Sequence, residues 1–430
     1  MNKKISRIFA VGIAILMCAL AIVPVSAASG QYEGMVGENT FTTYDKYLIL
    51  DENANVPNVA YAFGIRPYTP PPPIPTYSAT QTYTSYIEVQ PGIGTPVITW
   101  DSYKGMGTNP GVNDAPDADK SSVSFSPSDR TWSEAQDGDY VKNLTDGRKY
   151  AKHTATVDFS GIVFPAPGIY RYVITETGEN GNGMVFDANP TRYLDVYVED
   201  ASTDEHNYLT IAGFVLHANA VDVDPNAAPG IAASDYKDQG FTNEYVSYKL
   251  SFSKTVQGNY GSREKYFKFT LSISNALPET KYTVLLTNAD ATVPENASTN
   301  SSYVGKTNPT QIITDDSGTA TATFYLQHGQ SITILGLAEG THWYLSEVTE
   351  GYSESHYIFT SDSDFVDDPD GIGDTKSGIS ADTEVQFINT REGFVPTGVL
   401  LTVAPFAVLM LVGITGSIIV LKKKNKKESV

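Results

Sequence analysis

Cysteine is all but missing from this chain. The single Cys18 lies inside an apolar leader, so the chain that follows the leader has none. It has no means to form a disulfide, a thiolate metal site or a cysteine nucleophile. Histidine is sparse as well. His153, His206, His217, His328, His342 and His356 are scattered without metal-ligand or triad spacing, which leaves a secreted hydrolase without support. Basic charge is short: 29 Lys and Arg stand against 49 Asp and Glu, a formal balance of −20. Without Lys3, Lys4 and Arg7 it becomes −23, and without five tail lysines and Glu428 it becomes −27. So acidic a body stays soluble and repels nucleic acid. Helix signals are few, and no cofactor motif is found.

The two ends carry addresses. Residues 1–27 read as a signal peptide. Lys3, Lys4 and Arg7 charge its start, Ile8 to Val25 form its apolar middle, and Val25-Ser26-Ala27 offers a small-residue cleavage site. At the other end, Val399 to Leu421 is an uncharged run of 23 residues, long enough to span a bilayer as a helix. The basic tail, 422–430, holds five lysines that keep it in the cytoplasm and everything upstream outside. Just before the span stands Phe394-Val395-Pro396-Thr397-Gly398.

The body between these ends is rich in strand signals. Thr154 to Phe159, Tyr170 to Ile174 and Thr319 to Phe324 alternate apolar and polar residues, the pattern of half-buried strands. Many such strands at close spacing predict an all-β fold of two tandem immunoglobulin-like β-sandwiches, 28–246 and 247–392. The same order of events occurs in both. A strand bearing Lys46 opens the first, Tyr170 to Glu176 comes late, and Phe241-Thr242-Asn243 closes it. A strand bearing Lys254 opens the second, Trp343 to Glu347 comes late, and Phe387-Ile388-Asn389 closes it. This is an internal repeat of whole domains. Pro67 to Pro75 cannot be a central strand. Residues 102–150 read as a long surface excursion, and so does the acidic stretch Asp362 to Asp374. That stretch lacks the Gly and closing Glu of a calcium loop, so no metal site is assigned.

The repeated Lys, Glu and Asn carry a resemblance. With Ser253 to Asn259 (SKTVQGN), Lys265 to Thr270 (KYFKFT), Phe387 to Glu392 (FINTRE) and the sorting end, the chain resembles the FctA-type major pilins of Gram-positive bacteria, the streptococcal pilin isopeptide-linkage domain family. The resemblance implies a covalent Lys–Asn bond in each domain, assisted by a neighbouring Glu. It points to Lys46, Glu176 and Asn243 in the first domain, and Lys254, Glu347 and Asn389 in the second. Lys249 is an alternative to Lys254. Elementary chemistry agrees with such a triad. A buried lysine loses its proton more easily and becomes nucleophilic, while a buried carboxyl holds its proton and can pass it on. The expected arrangement has the carboxyl group hydrogen-bonded to the asparagine carbonyl.

The FVPTG segment resembles the LPxTG-type signal read by sortases, departing from it at Phe394 and Val395. That implies cleavage between Thr397 and Gly398, with Thr397 carried as a thioester on the sortase cysteine. Leu277-Pro278-Glu279-Thr280 is a coincidental near match, with no apolar span behind it. The acceptor amine is expected at Lys237, with Lys249 and Lys142 as alternatives. The implied partners are class C-type and housekeeping sortases, further copies of the chain, and peptidoglycan. The expected function is a non-enzymatic backbone pilin, fixed to the cell wall. The alternative is a wall-anchored or tip adhesin that binds a host ligand through 102–150.

Overall fold

The structure is a computed structural model and describes residues 32–69, 89–100, 122–141, 144–145, 147–178, 180–218, 237–360, 366–368 and 371–393. The signal peptide, most of the proline run, the sorting segment, the apolar span and the basic tail lie outside these residues. Among the described residues no helix is long and apolar enough to cross a membrane.

Strands form where the sequence alternates. In chain order they are β1 (Gly34–Met35), β2 (Phe41–Asp51), β3 (Val59–Pro67), β4 (Val89–Pro91), β5 (Val97–Trp100), β6 (Ser122–Phe125), β7 (Thr131–Trp132), β8 (Arg148–Asp158), β9 (Gly168–Thr177), β10 (Met184–Val185), β11 (Thr191–Asp200), β12 (Tyr208–His217) and β13 (Gly240–Tyr245). Then come β14 (Ser247–Gln257), β15 (Phe267–Ser274), β16 (Lys281–Thr287), β17 (Gln311–Ile313), β18 (Ala320–Leu326), β19 (Ser331–Ala338), β20 (His342–Glu347), β21 (Ser353–Phe359), β22 (Val366–Asp368), β23 (Gly371–Asp374) and β24 (Thr383–Thr390).

These strands build two sandwiches. In the first, one sheet runs β1-β12-β11-β9-β3-β6 with β4 beside β9, and the other runs β10-β13-β2-β8-β5 with β7 beside β8. In the second, the sheets run β17-β16-β19-β14-β24-β21 and β18-β15-β20-β23-β22. Each sandwich buries an apolar core between its sheets. Each buried Leu or Phe in these cores contributes about 1.5–3 kcal/mol. In both units the first long strand and the last lie side by side and parallel, β2 with β13 and β14 with β24. At the start of β13, Gly240 sits so close to β2 that a Cβ there would fall 1.7 Å from the Asp45 carbonyl oxygen. Only glycine allows this approach.

Only Val246 separates β13 from β14. The units are held together across that point. Asn55 Nδ2 donates to the Lys281 carbonyl at 2.8 Å, Tyr245 Oη donates to the Gly336 carbonyl at 2.8 Å, and Ser247 Oγ bonds Asp51 at 2.9 Å. Leu277 and Ala338 of the second unit pack into the core of the first.

Two stretches expected to be surface excursions are partly folded into the body. Val123 and Phe125 alternate with serines, form β6 and are buried against β3. Trp132, Val141 and Leu144 cover the outer face of β2 and β8, where Tyr47, Ile49 and Tyr150 form a second apolar layer. In the other stretch, β23 is buried throughout, and the Asp374 carboxylate accepts the backbone N–H groups of Lys376 and Ser377. That bonding makes Asp374 a turn former. Asp362 and Asp364 lie outside the described residues.

Candidate functional site

Each of the six triad residues occupies an inward position of an otherwise apolar stripe. On β2 the stripe is Tyr44, Lys46, Leu48 and Leu50; on β13 it is Phe241, Asn243 and Tyr245; on β9 it is Tyr170, Tyr172, Ile174 and Glu176. The second unit repeats this. Leu250, Phe252, Lys254 and Val256 point inward from β14, Val385, Phe387 and Asn389 from β24, and Trp343, Leu345 and Glu347 from β20. The two-residue period of a strand makes these choices. Lys249 has the opposite parity from Lys254 and pairs with Asp382 at the surface, 3.1 Å away.

The register is the same in both units. Lys46 lies opposite Phe241, and Asn243 opposite Leu48. Lys254 lies opposite Phe387, and Asn389 opposite Val256. In each pair the asparagine is therefore one diagonal step along the parallel neighbour, on the same face as the lysine. The glutamate reaches across from the facing sheet. Lys46 Nζ is 2.7 Å from Glu176 Oε1, and Asn243 Nδ2 donates to that same oxygen at 2.9 Å. Lys254 Nζ is 2.6 Å from Glu347 Oε1, which accepts Asn389 Nδ2 at 2.9 Å. Both lysine and both glutamate side chains are wholly shielded from solvent.

Burial sets the charges. Desolvation pulls Lys46 and Lys254 down to about 8, although the partner carboxylate opposes it. Desolvation also lifts Glu176, and lifts Glu347 to about 7, against the pull of the lysines. Burial thus shifts each pair toward the neutral amine and the neutral acid. An aromatic ring underlies each amine: Tyr61 at 4.7 Å from Lys46 Nζ, and Phe267 at 4.5 Å from Lys254 Nζ. The rings exclude water that would otherwise compete in acyl transfer.

One detail differs from the arrangement expected. In both units the asparagine turns its amide nitrogen, not its carbonyl oxygen, toward the glutamate. In the first unit the oxygen accepts the Asp187 backbone N–H at 2.8 Å. Sequence reasoning missed Asp187 and its partners. Arg192 is buried, with Nη2 2.8 Å from Asp187 Oδ2 and Nε 2.8 Å from Asp238 Oδ2. A signal for it exists: Arg192 occupies the inward register of β11 that Leu194, Val196 and Val198 fill with apolar side chains. A second missed pair is Arg171 with Asp195, buried and 2.6 Å apart.

Lys237 is exposed and forms an isolated antiparallel bridge with His217. It leads into β13 at the end of the first unit away from Val246. Phe394, Val395, Pro396, Thr397 and Gly398 lie outside the described residues, as does Lys142. The last described residue, Gly393, follows β24 at the end of the second unit away from Val246.

Residues 248–391 match a domain family of unknown function, DUF7601. The chain is 26% identical over 277 residues to a pilin of Streptococcus pyogenes serotype M1, covering 63% of this chain and 72% of that one. It is 24% identical over 212 residues to the pilus tip adhesin Cpa of Streptococcus pyogenes, covering 48% of this chain and 24% of the adhesin. Among solved structures it is similar to the major pilin from Streptococcus pyogenes, with a TM-score of 0.47 and 19% identity over 83% of this chain and 100% of that chain. The chain resembles the FctA-type major pilins.

Proposed function

We propose that this chain is a structural backbone pilin, joined copy to copy by sortase and held rigid by two internal Lys–Asn bonds. The observation that carries this is the buried Lys–Glu–Asn constellation, repeated in the same register in both units. An ion pair kept only for stability is a weak reason to bury a lysine, because desolvation offsets most of the attraction. A reaction that consumes the charge removes that cost.

The lysine ammonium gives a proton to the glutamate, leaving a neutral amine and a neutral acid. The amine attacks the asparagine Cγ, and the carbonyl π pair moves onto Oδ1. The glutamate passes its proton to Nδ2 and takes one from the new Nζ–Cγ link. The Cγ–Nδ2 bond breaks and ammonia leaves. A secondary amide remains, and the glutamate ends protonated. Glu176 and Glu347 are the proton carriers, each within hydrogen-bond reach of both nitrogens.

The surface role follows from the ends. Lys237 lies at the far end of the first unit, and the chain leaves the second unit at the opposite end. An acceptor amine at one end and a Thr397 donor at the other suit head-to-tail joining. The apolar span holds the precursor until sortase cuts between Thr397 and Gly398, and the last copy meets peptidoglycan. The test is a denaturing gel of wall extracts. The parent gives a ladder of high-mass species, and Lys237→Ala collapses it to the monomer. A ladder that survives Lys237→Ala overturns the acceptor assignment. A parent without any ladder overturns polymerisation.

A further inference from the structure

The two sites share their lysine, glutamate and register but differ at the asparagine oxygen. In the first unit Asn243 Oδ1 accepts the Asp187 backbone N–H at 2.8 Å. Asp187 is clamped to the same strand. Its Oδ2 accepts the Thr242 N–H at 3.0 Å and pairs with Arg192 at 2.8 Å, while its Oδ1 accepts the Asn189 N–H at 3.0 Å. The amide of Asn243 therefore cannot turn over without setting its NH2 group against the Asp187 N–H. In the second unit, Asn389 Oδ1 is buried and has no hydrogen-bond partner among the described residues. That amide has no such lock.

From this geometry we infer that the Asp187 backbone N–H is the oxyanion donor of the first cross-link. As Lys46 Nζ bonds to Asn243 Cγ, the electron pair of the carbonyl collects on Oδ1, where this N–H already points. It costs no reorganisation, because the Arg192 and Thr242 contacts hold it before the reaction starts. Glu176 stays at the other side of the amide, against Nζ and Nδ2, and moves protons only. When Cγ–Nδ2 breaks and ammonia leaves, the pair returns to the carbonyl, and the N–H holds the oxygen of the new amide. In the second unit no fixed donor among the described residues serves Asn389 Oδ1, so that oxygen depends on the acid form of Glu347. The two cross-links of one chain are thus formed by sites with different electrostatic help. The inference rests on the cross-linking reading.

The test replaces the Asp187 amide by an ester, using the α-hydroxy analogue of aspartate at that position during cell-free synthesis of the full chain. This removes the N–H and keeps the carboxylate and its contacts. After synthesis is stopped, timed denaturing quenches are digested. Mass spectrometry then follows the Lys46–Asn243 and Lys254–Asn389 peptides separately. The expected result is a first cross-link slowed by about 100-fold, the usual effect of losing one oxyanion donor, with the second formed at the parental rate. Asp187→Asn, which keeps the N–H and an oxygen for the Thr242 N–H and Arg192, should stay well closer to the parent than the ester does. An ester chain that forms both links at parental rates overturns the inference, and so does an Asp187→Asn chain as slow as the ester. A parent that forms neither link overturns the cross-linking reading itself, a distinct outcome.

Discussion

Replacing Asn389 by alanine should lower the stability of the second unit by about 5 kcal/mol. Asn389 is buried on β24, and Lys254, its proposed partner, is on β14. The bond between them would close a loop of roughly 140 residues, for which the chain-entropy relation gives about 5 kcal/mol at 25 °C. For a unit of this size each kcal/mol moves the melting temperature by about 2–4 °C. The midpoint should therefore fall by about 10–20 °C in calorimetry. The mass reports the same event. Each bond removes one ammonia, roughly 17 Da by the stoichiometry of acyl transfer, so Asn389→Ala should retain only the loss belonging to the first unit. A parent at its unmodified mass refutes the reasoning. A parent with both bonds whose midpoint matches that of Asn389→Ala within about 2 °C refutes the entropic argument.

Removal of the proposed proton carrier should act like removal of the asparagine. Glu347→Ala leaves Lys254 and Asn389 in place but unlinked, read as a mass gain of roughly 17 Da over the value expected for a linked variant. The Asn389→Ala variant should also show a pH signature. Lys254 is held at about 8 in the fold against an ordinary 10.5, so between these values the unfolded chain binds more protons and stability rises with pH. By the proposed cross-link the parent carries an amide in place of that amine and lacks the rise. The gap in melting temperature between parent and variant should therefore narrow from about pH 8 to pH 10.5, and a constant gap contradicts it. Under force, a chain pulled between Lys237 and its C-terminal end should transmit load along β13, Val246 and β14 to Lys254, then across the proposed bond to Asn389. The parent should not lengthen at the second unit. Asn389→Ala should release about 400–500 Å of contour length, at about 3.3–3.6 Å per residue.

Much of this was legible locally. The two-residue alternation announced the strands, and it also chose the inward lysine. Lys254 shares the parity of Leu250, Phe252 and Val256, whereas Lys249 does not and ends at the surface. The part of 102–150 that folds into the body was missed because its many Asp, Gly and Ser residues hide short alternating runs such as Ser122 to Phe125; residues 102–121 lie outside the described residues. Those runs find apolar partners only once β3 and the outer face of β2 exist.

The sequence by itself carried the expected address of the chain, and it determined the strand-rich character and the twofold order of Lys, Glu and Asn. Those features depend on neighbours a few residues apart, on the period of a strand and on the length of an apolar run. The tertiary structure alone decided which side of each asparagine faces the glutamate. It also placed the Asp187 N–H at Asn243 Oδ1 and left Asn389 Oδ1 without a hydrogen-bond partner among the described residues. Lys46 and Asn243 are nearly 200 positions apart in the chain, and their meeting depends on the parallel register of β2 with β13. That register is set by two sheets burying their apolar faces together, a condition no local pattern records.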